Sequence, residues 1–274
     1  VAIPPTGVLH VELAGLPEGP PLVMLHGFTQ TGRLWGEFGR RLAESRRLVL
    51  VDLPGHGGSA EVRADLAATA DLVAAAARRH LRTEEPAAAE PAPVDVLGYS
   101  LGGRVALHLA LAHPGLLRRL VVIGASGGIE DAAARSARRA ADDALAAELE
   151  ATGDLEGFLE RWLASPLFAG LRPGAADLRE RRRNTAAGLA ASLRSAGTGT
   201  QEPLWGRLSG VAAPALVMAG AADHRFVALG ARLAASLPAG VLALVPGAGH
   251  AAHLEQPAVA ARMVGGWLGA AGAG

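Results

Sequence analysis

Short apolar runs alternate with longer helical stretches through the first 126 residues, and this rhythm restricts the fold more than any other feature. The runs are VLHVELAG (8–15), PLVMLHGF (21–28), RRLVLVDLPG (47–55), VDVLGYS (94–100) and LRRLVVIGAS (117–126). Between them, WGEFGRRLAES (35–45), DLAATADLVAAAARRHL (65–81) and GGRVALHLALAHP (102–114) read as helices. The inner runs are apolar at successive positions rather than alternate ones. A strand of that kind must be covered on both faces, as parallel strands between helices are. His113-Pro114 ends the third helix, and RTEEPAAAEPAP (82–93) reads as a surface connection.

The rhythm stops at about residue 127. From GGIEDAAARSARRAADDALAAELEATG to RSAGTGTQEPLWGRL only helical patterns and turns appear. It returns with PALVMAGAADHRF (214–226), VALGARLAASL, VLALVPGAGH (241–250) and PAVAARMVGGWLG. The expected architecture is α/β, a mostly parallel central sheet with helices on both faces. Residues 1–126 and 206–274 form its two core segments, and residues 127–205 form a helical cap inserted between them. No internal repeat is evident.

Half of the 274 residues are hydrophobic and 19 % are charged, enough for a sizeable core. All 26 basic residues are arginines, and 26 acidic residues balance them. A net charge of zero gives no electrostatic case for nucleic-acid binding. With no cysteine, disulfides and thiolate catalysis are excluded. No signal peptide and no run long enough to span a membrane are visible, so a cytoplasmic protein is expected. The nine histidines lack metal-binding spacing, so neither a metal nor a cofactor is expected. Oligomeric state is left open.

Gly98-Tyr99-Ser100-Leu101-Gly102 is a G-x-S-x-G pattern at a strand-to-helix junction. The tight turn forces the serine out of the sheet. It also puts the Leu101 amide at a helix N-terminus, where it can donate to a developing oxyanion. The second donor is expected from Phe28, in His26-Gly27-Phe28. Gly124-Ala125-Ser126-Gly127-Gly128 fits the same pattern, but it opens the insertion instead of a long helix, and Ser126 reads as a turn residue near the cleft. Asp223 and His250 follow later strands in the order Ser, Asp, His that this kind of sheet uses for a catalytic triad. His253, the nearest rival to His250, lies in the following helix and is expected on the surface.

The stretches LHGF, DLPGHGGS, GYSLGGR, the Asp223 loop and GAGH resemble the α/β-hydrolase superfamily over nearly the whole chain. RSARRAADD, WLASPLFAGL, RRRN, GTGTQ and GAGHAAHLEQP narrow the resemblance to the 2-succinyl-6-hydroxy-2,4-cyclohexadiene-1-carboxylate synthases of menaquinone biosynthesis. GYSLGGR together with PLFA and GTGTQ is fairly specific, because insertions differ widely among hydrolase relatives. The resemblance implies a lyase that eliminates pyruvate from a cyclohexene carrying three carboxylates, without cofactor, metal, nucleic acid or membrane span. Ser100 would accept a ring proton, with His250 and Asp223 behind it.

Three anionic groups call for several cations, and arginine's planar fork suits carboxylates. Arg104 lies one helical turn after Ser100. A cation near a helix N-terminus opposes the helix dipole, so helix stability does not explain it. Arg138 sits in a run where Asp131–Arg135, Arg138–Asp142 and Arg139–Asp143 are all i,i+4 pairs, as on an ordinary exposed helix. The resemblance instead makes Arg138 a substrate-binding residue. It implies the same for Tyr99, Trp162 and Arg181, although Trp162 reads equally as cap core. The competing function is a carboxylester or carbon–carbon bond hydrolase using the same triad. A binding protein on a dead scaffold is opposed by the intact set of three.

Overall fold

The computed structural model describes residues 7–81 and 92–269. Most of the connection expected at 82–93 therefore lies outside the described residues. Seven strands form one sheet: β1 (Val11–Gly15), β2 (Pro21–Leu25), β3 (Arg47–Val51), β4 (Val94–Tyr99), β5 (Leu117–Ile123), β6 (Ala215–Gly220) and β7 (Gly240–Val245). Their spatial order is β1-β3-β2-β4-β5-β6-β7. β1 runs antiparallel to β3, and every other neighbouring pair is parallel. The sequence places β1 from residue 8, but pairing begins at Val11.

The two-faced apolar runs divide as a pleated backbone requires, with successive side chains on opposite faces. Val23, Val49, Val51, Val96 and Val122 point to one core. They meet helices α2 (Leu66–Leu81), α3 (Leu101–Ala112) and α8 (His224–Ser236). Leu22, Met24, Leu48, Leu97 and Ile123 point to the other. That face is covered by α1 (Gly36–Ala43), α9 (Ala252–Glu255) and α10 (Pro257–Gly269). Each fully buried side chain of this size contributes about 1.5–3 kcal/mol.

Between β5 and β6 the chain leaves the sheet for α4 (Ala132–Thr152), α5 (Leu155–Leu163), α6 (Ala175–Arg181) and α7 (Ala186–Ala196). Asp131 caps α4 by accepting the Ala134 N–H at 2.7 Å, and Gly153 at φ 62° ends it. Ala146, Leu149, Phe158, Leu189 and Leu193 give these helices a small core of their own.

The chain visits β2, then β3 on one side, then β4 on the other. That reversal opens a crevice at the carboxyl ends of β2 and β4, where ligands bind in such sheets. Phe28 lies three residues past β2, and Ser100 directly follows β4.

Candidate active site

Ser100 is the one residue between β4 and α3, with φ 49° and ψ −105°. A non-glycine residue in that region costs about 1–3 kcal/mol and persists only where its surroundings fix it. Here they do. The Ser100 N–H donates to the Ile123 carbonyl at 2.8 Å, and the Arg104 N–H donates to the Ser100 carbonyl at 3.0 Å. Gly102 lets α3 start directly on β2, since a Cβ there would overlap the Leu25 carbonyl oxygen.

His250, 3 % exposed, places Nε2 3.3 Å from the Ser100 hydroxyl oxygen. Its Nδ1 faces Asp223 Oδ2 at 3.5 Å. That is longer than a closed hydrogen bond, and neither atom has another partner among the described residues. Asp223 also caps α8, its Oδ1 accepting the Phe226 N–H at 3.1 Å. Burial alone would raise the Asp223 carboxyl. His250, the Phe226 amide and Arg225 outweigh it and hold the pKa below the ordinary carboxylate value. Phe226 packs 4.4 Å from the His250 ring, between ring centroids. The arrangement can pass a proton between a hydroxyl and an imidazole whose cationic form an ionised carboxylate favours.

A cavity of about 290 Å³ opens over this pair, lined by Ser100, His250, Phe28, Leu101, Ser126 and Trp162 among others. The Leu101 amide belongs to the first turn of α3, where N–H groups have no intrahelical acceptor. Arg104 and Arg138 both line the cavity. Arg104 is 8 % exposed and donates to the Gly197 carbonyl at 3.3 Å. Burial, reinforced by the Arg138 charge, pushes its pKa down to about 10. It stays cationic at neutral pH but has lost hydration that a carboxylate would replace. Ser126 is a turn residue on the cavity wall, its hydroxyl accepting the Gly128 N–H at 3.3 Å. Trp162 lines the cavity and also packs 5.1 Å from Phe28 and 6.0 Å from Phe168.

Tyr99 and Arg181 are not in the cavity wall but behind it, 3 % and 2 % exposed. The Tyr99 ring packs against Gly27 and 4.4 Å from the His253 ring, and burial raises its phenol pKa. Arg181 donates to the Thr29 hydroxyl, and burial lowers its pKa to about 10. Adjoining it, the Asn184 amide donates to the Thr29 carbonyl at 2.9 Å. The pair thus braces the loop after β2, where Thr29 has φ 66°.

His253 is not on the surface. The one-turn helix α9 tucks it, fully buried, against Trp35, Phe38 and Tyr99. Nor is the Arg138–Asp142 pair an exposed one. It closes at 2.8 Å, but Asp142 is 1 % exposed. Asp131 turns instead to its cap, while Arg135 reaches the Ile129 and Glu130 carbonyls.

Arg225 was missed by sequence reasoning. It lines the cavity and makes no ion pair among the described residues. Its position two residues after Asp223 was the available signal. No metal-binding group of side chains occurs among the described residues, and none of their helices is long and apolar enough to cross a membrane.

Residues 22–263 match the model of the alpha/beta hydrolase family. The chain is 35 % identical over 246 residues to 2-succinyl-6-hydroxy-2,4-cyclohexadiene-1-carboxylate synthase of Klebsiella pneumoniae, covering 89 % of this chain and 92 % of the relative. It is 35 % identical to the synthase of the same name from Escherichia coli O1:K1, covering 92 % and 95 %. Among solved structures, MenH from S. aureus superposes with a TM-score of 0.84 at 28 % identity, over 94 % of this chain and 97 % of that one.

Proposed function

The chain belongs to the alpha/beta hydrolase family and, within it, to the 2-succinyl-6-hydroxy-2,4-cyclohexadiene-1-carboxylate synthases, and from that premise we propose that it eliminates pyruvate from 2-succinyl-5-enolpyruvyl-6-hydroxy-3-cyclohexene-1-carboxylate in menaquinone biosynthesis. In this reading the Ser100 oxygen takes a ring proton while His250 Nε2 takes the hydroxyl's own proton. The electrons of the broken C–H bond at C2 form a C2=C3 double bond, and the existing C3=C4 pair shifts to C4=C5. The C–O bond to the enolpyruvyl group breaks, and its electron pair leaves with the enol oxygen, which is protonated and tautomerises to pyruvate. No water is consumed and no acyl-enzyme forms. Asp223 fixes the imidazole and favours the imidazolium. The amides of Phe28 and Leu101 are the donors proposed for charge spread onto the succinyl ketone oxygen.

The observation that carries the reading is the company Ser100 keeps. Arg104 and Arg138 share one cavity with the Ser100–His250 pair. A neutral ester offers a buried guanidinium only uncharged acceptors, whereas a polycarboxylate supplies the opposite charge and paired oxygens that compensate its lost hydration. Tyr99 and Arg181 enter this proposal as supports of the cavity wall, not as ligand contacts. A serine hydrolase of esters or carbon–carbon bonds is the second reading, because 3.3 Å between Ser100 and His250 serves a nucleophile equally.

The test is pyruvate release from the enolpyruvyl substrate, run beside hydrolysis of a chromogenic ester. Pyruvate release with negligible ester turnover is expected. Brisk ester hydrolysis without pyruvate would transfer the assignment to the second reading.

A further inference from the structure

The turn Gly197-Thr198-Gly199-Thr200, part of the GTGTQ run, has no role in the elimination itself, yet two of the cavity arginines, Arg104 and Arg138, are tied to it. Arg104, from α3, donates to the Gly197 carbonyl at 3.3 Å. Arg138, from α4, donates through Nε to Asp142 Oδ1 at 2.8 Å. The other oxygen of Asp142 accepts the Gly199 N–H at 3.3 Å. The turn is seated by contact as well. A Cβ on Gly199 would come within 2.8 Å of the Arg138 carbonyl carbon, and one on Gly197 within 2.6 Å of Asp142 Oδ2. Thr200 also holds the Gly197 carbonyl, its hydroxyl donating at 2.9 Å.

Asp142 is a negative charge, 1 % exposed, in the wall of a cavity read as an anion site. Taken alone it repels the ligand, and burying it costs several kcal/mol unless it is paired. We infer that Asp142 is a positioning residue: with the Gly197–Gly199 turn it fixes Arg138 relative to Arg104, so that the two guanidiniums grip separate carboxylates of one polycarboxylate. This rests on the polycarboxylate reading above. The bond through Nε leaves the two Nη groups of Arg138 without a partner among the described residues and open to a bidentate contact. The two cations come from different layers, α3 on the sheet and α4 outside it, and they repel each other. A shared support removes the freedom that ligand binding would otherwise have to freeze.

The sign of one substitution separates this from an ordinary helix-surface pair. If Asp142 merely neutralises Arg138, Asp142→Asn removes negative charge from an anion site and KM falls. If it positions, KM rises. In the full chain, Asp142→Asn and Gly199→Ala are each expected to raise KM for the enolpyruvyl substrate about tenfold with kcat within about threefold of wild type. Calorimetric Kd for propane-1,2,3-tricarboxylate should weaken in parallel. In an Arg138→Gln background, Asp142→Asn should add little, because both act through one contact. Unchanged or lower KM in Asp142→Asn, or fully additive losses, would overturn the inference, as would a lower Tm with wild-type KM in both variants. A wild-type chain that binds the tricarboxylate but releases no pyruvate would sink the lyase reading and leave the calorimetric comparison to decide this one. Failure of the wild type to bind the tricarboxylate would overturn the inference itself.

Discussion

Lowering the pH from 7.5 to 5.0 should cost this protein much of its stability, well before its carboxylates are protonated. His26, His56 and His253 are fully buried. Burial first, and neighbouring positive charge after it, pushes their pKa values from 6.5 down to about 4, 3 and 3. His26 accepts the Leu53 N–H on Nε2 at 3.0 Å, so protonating that nitrogen would break a hydrogen bond as well. Each ring stays neutral in the folded chain at pH 5 but is protonated in the unfolded chain. The unfolded state therefore binds more protons, and stability falls with pH from about 6.5 down to the folded values. Each histidine contributes about 1.4 kcal/mol per pH unit in that window, or about 2 kcal/mol at pH 5, roughly 6 kcal/mol for the three. Domains of this kind have only about 5–15 kcal/mol in all. Urea unfolding at the two pH values measures the difference directly. His108, its pKa also lowered to about 4 by burial, adds to the same slope; His253→Phe, which keeps a ring among Trp35, Phe38 and Tyr99, should reduce that slope by about one proton. A wild-type difference below about 1 kcal/mol would refute the reasoning, since no redistribution among the three rings could hide a loss that large.

Ser100→Gly should relieve the positive φ at that position and stabilise the fold by about 1 kcal/mol while abolishing pyruvate release; thermal melting and the pyruvate assay read the two effects separately. Arg104→Gln should lower kcat/KM for the enolpyruvyl substrate roughly 10- to 100-fold, the loss of a charge-assisted contact worth about 1.5–3 kcal/mol. Arg225→Gln, at the cavity rim and without an ion pair among the described residues, should raise KM about threefold with no change in Tm; an unchanged KM would remove it from the ligand site.

The sheet was legible because its signal is local. Runs apolar at successive positions between amphipathic stretches force two-sided burial, and the inner strands β2 to β6 fall where such runs occur, whereas the edge strands β1 and β7 stay partly exposed. That Ser100, Asp223 and His250 come together was legible for the same reason: each sits in the few residues after a strand, and parallel strands bring their carboxyl ends to one edge. Arg104 follows from Ser100 by one helical turn. His253, Tyr99, Arg181, Asp142 and Arg225 were not legible in this way. Their environments depend on which elements pack together. The same i,i+4 spacing suits an exposed helix pair and the buried Asp142 beneath the Gly197–Gly199 turn.

By itself the sequence determined the layered α/β architecture and the residues placed at the strand ends, because backbone periodicity and turn sterics act over a few residues. Only the tertiary structure decided which arginines face the cavity and which brace its wall. A guanidinium's role is set by the charges, carbonyls and solvent around it, and segments distant in the chain supply those.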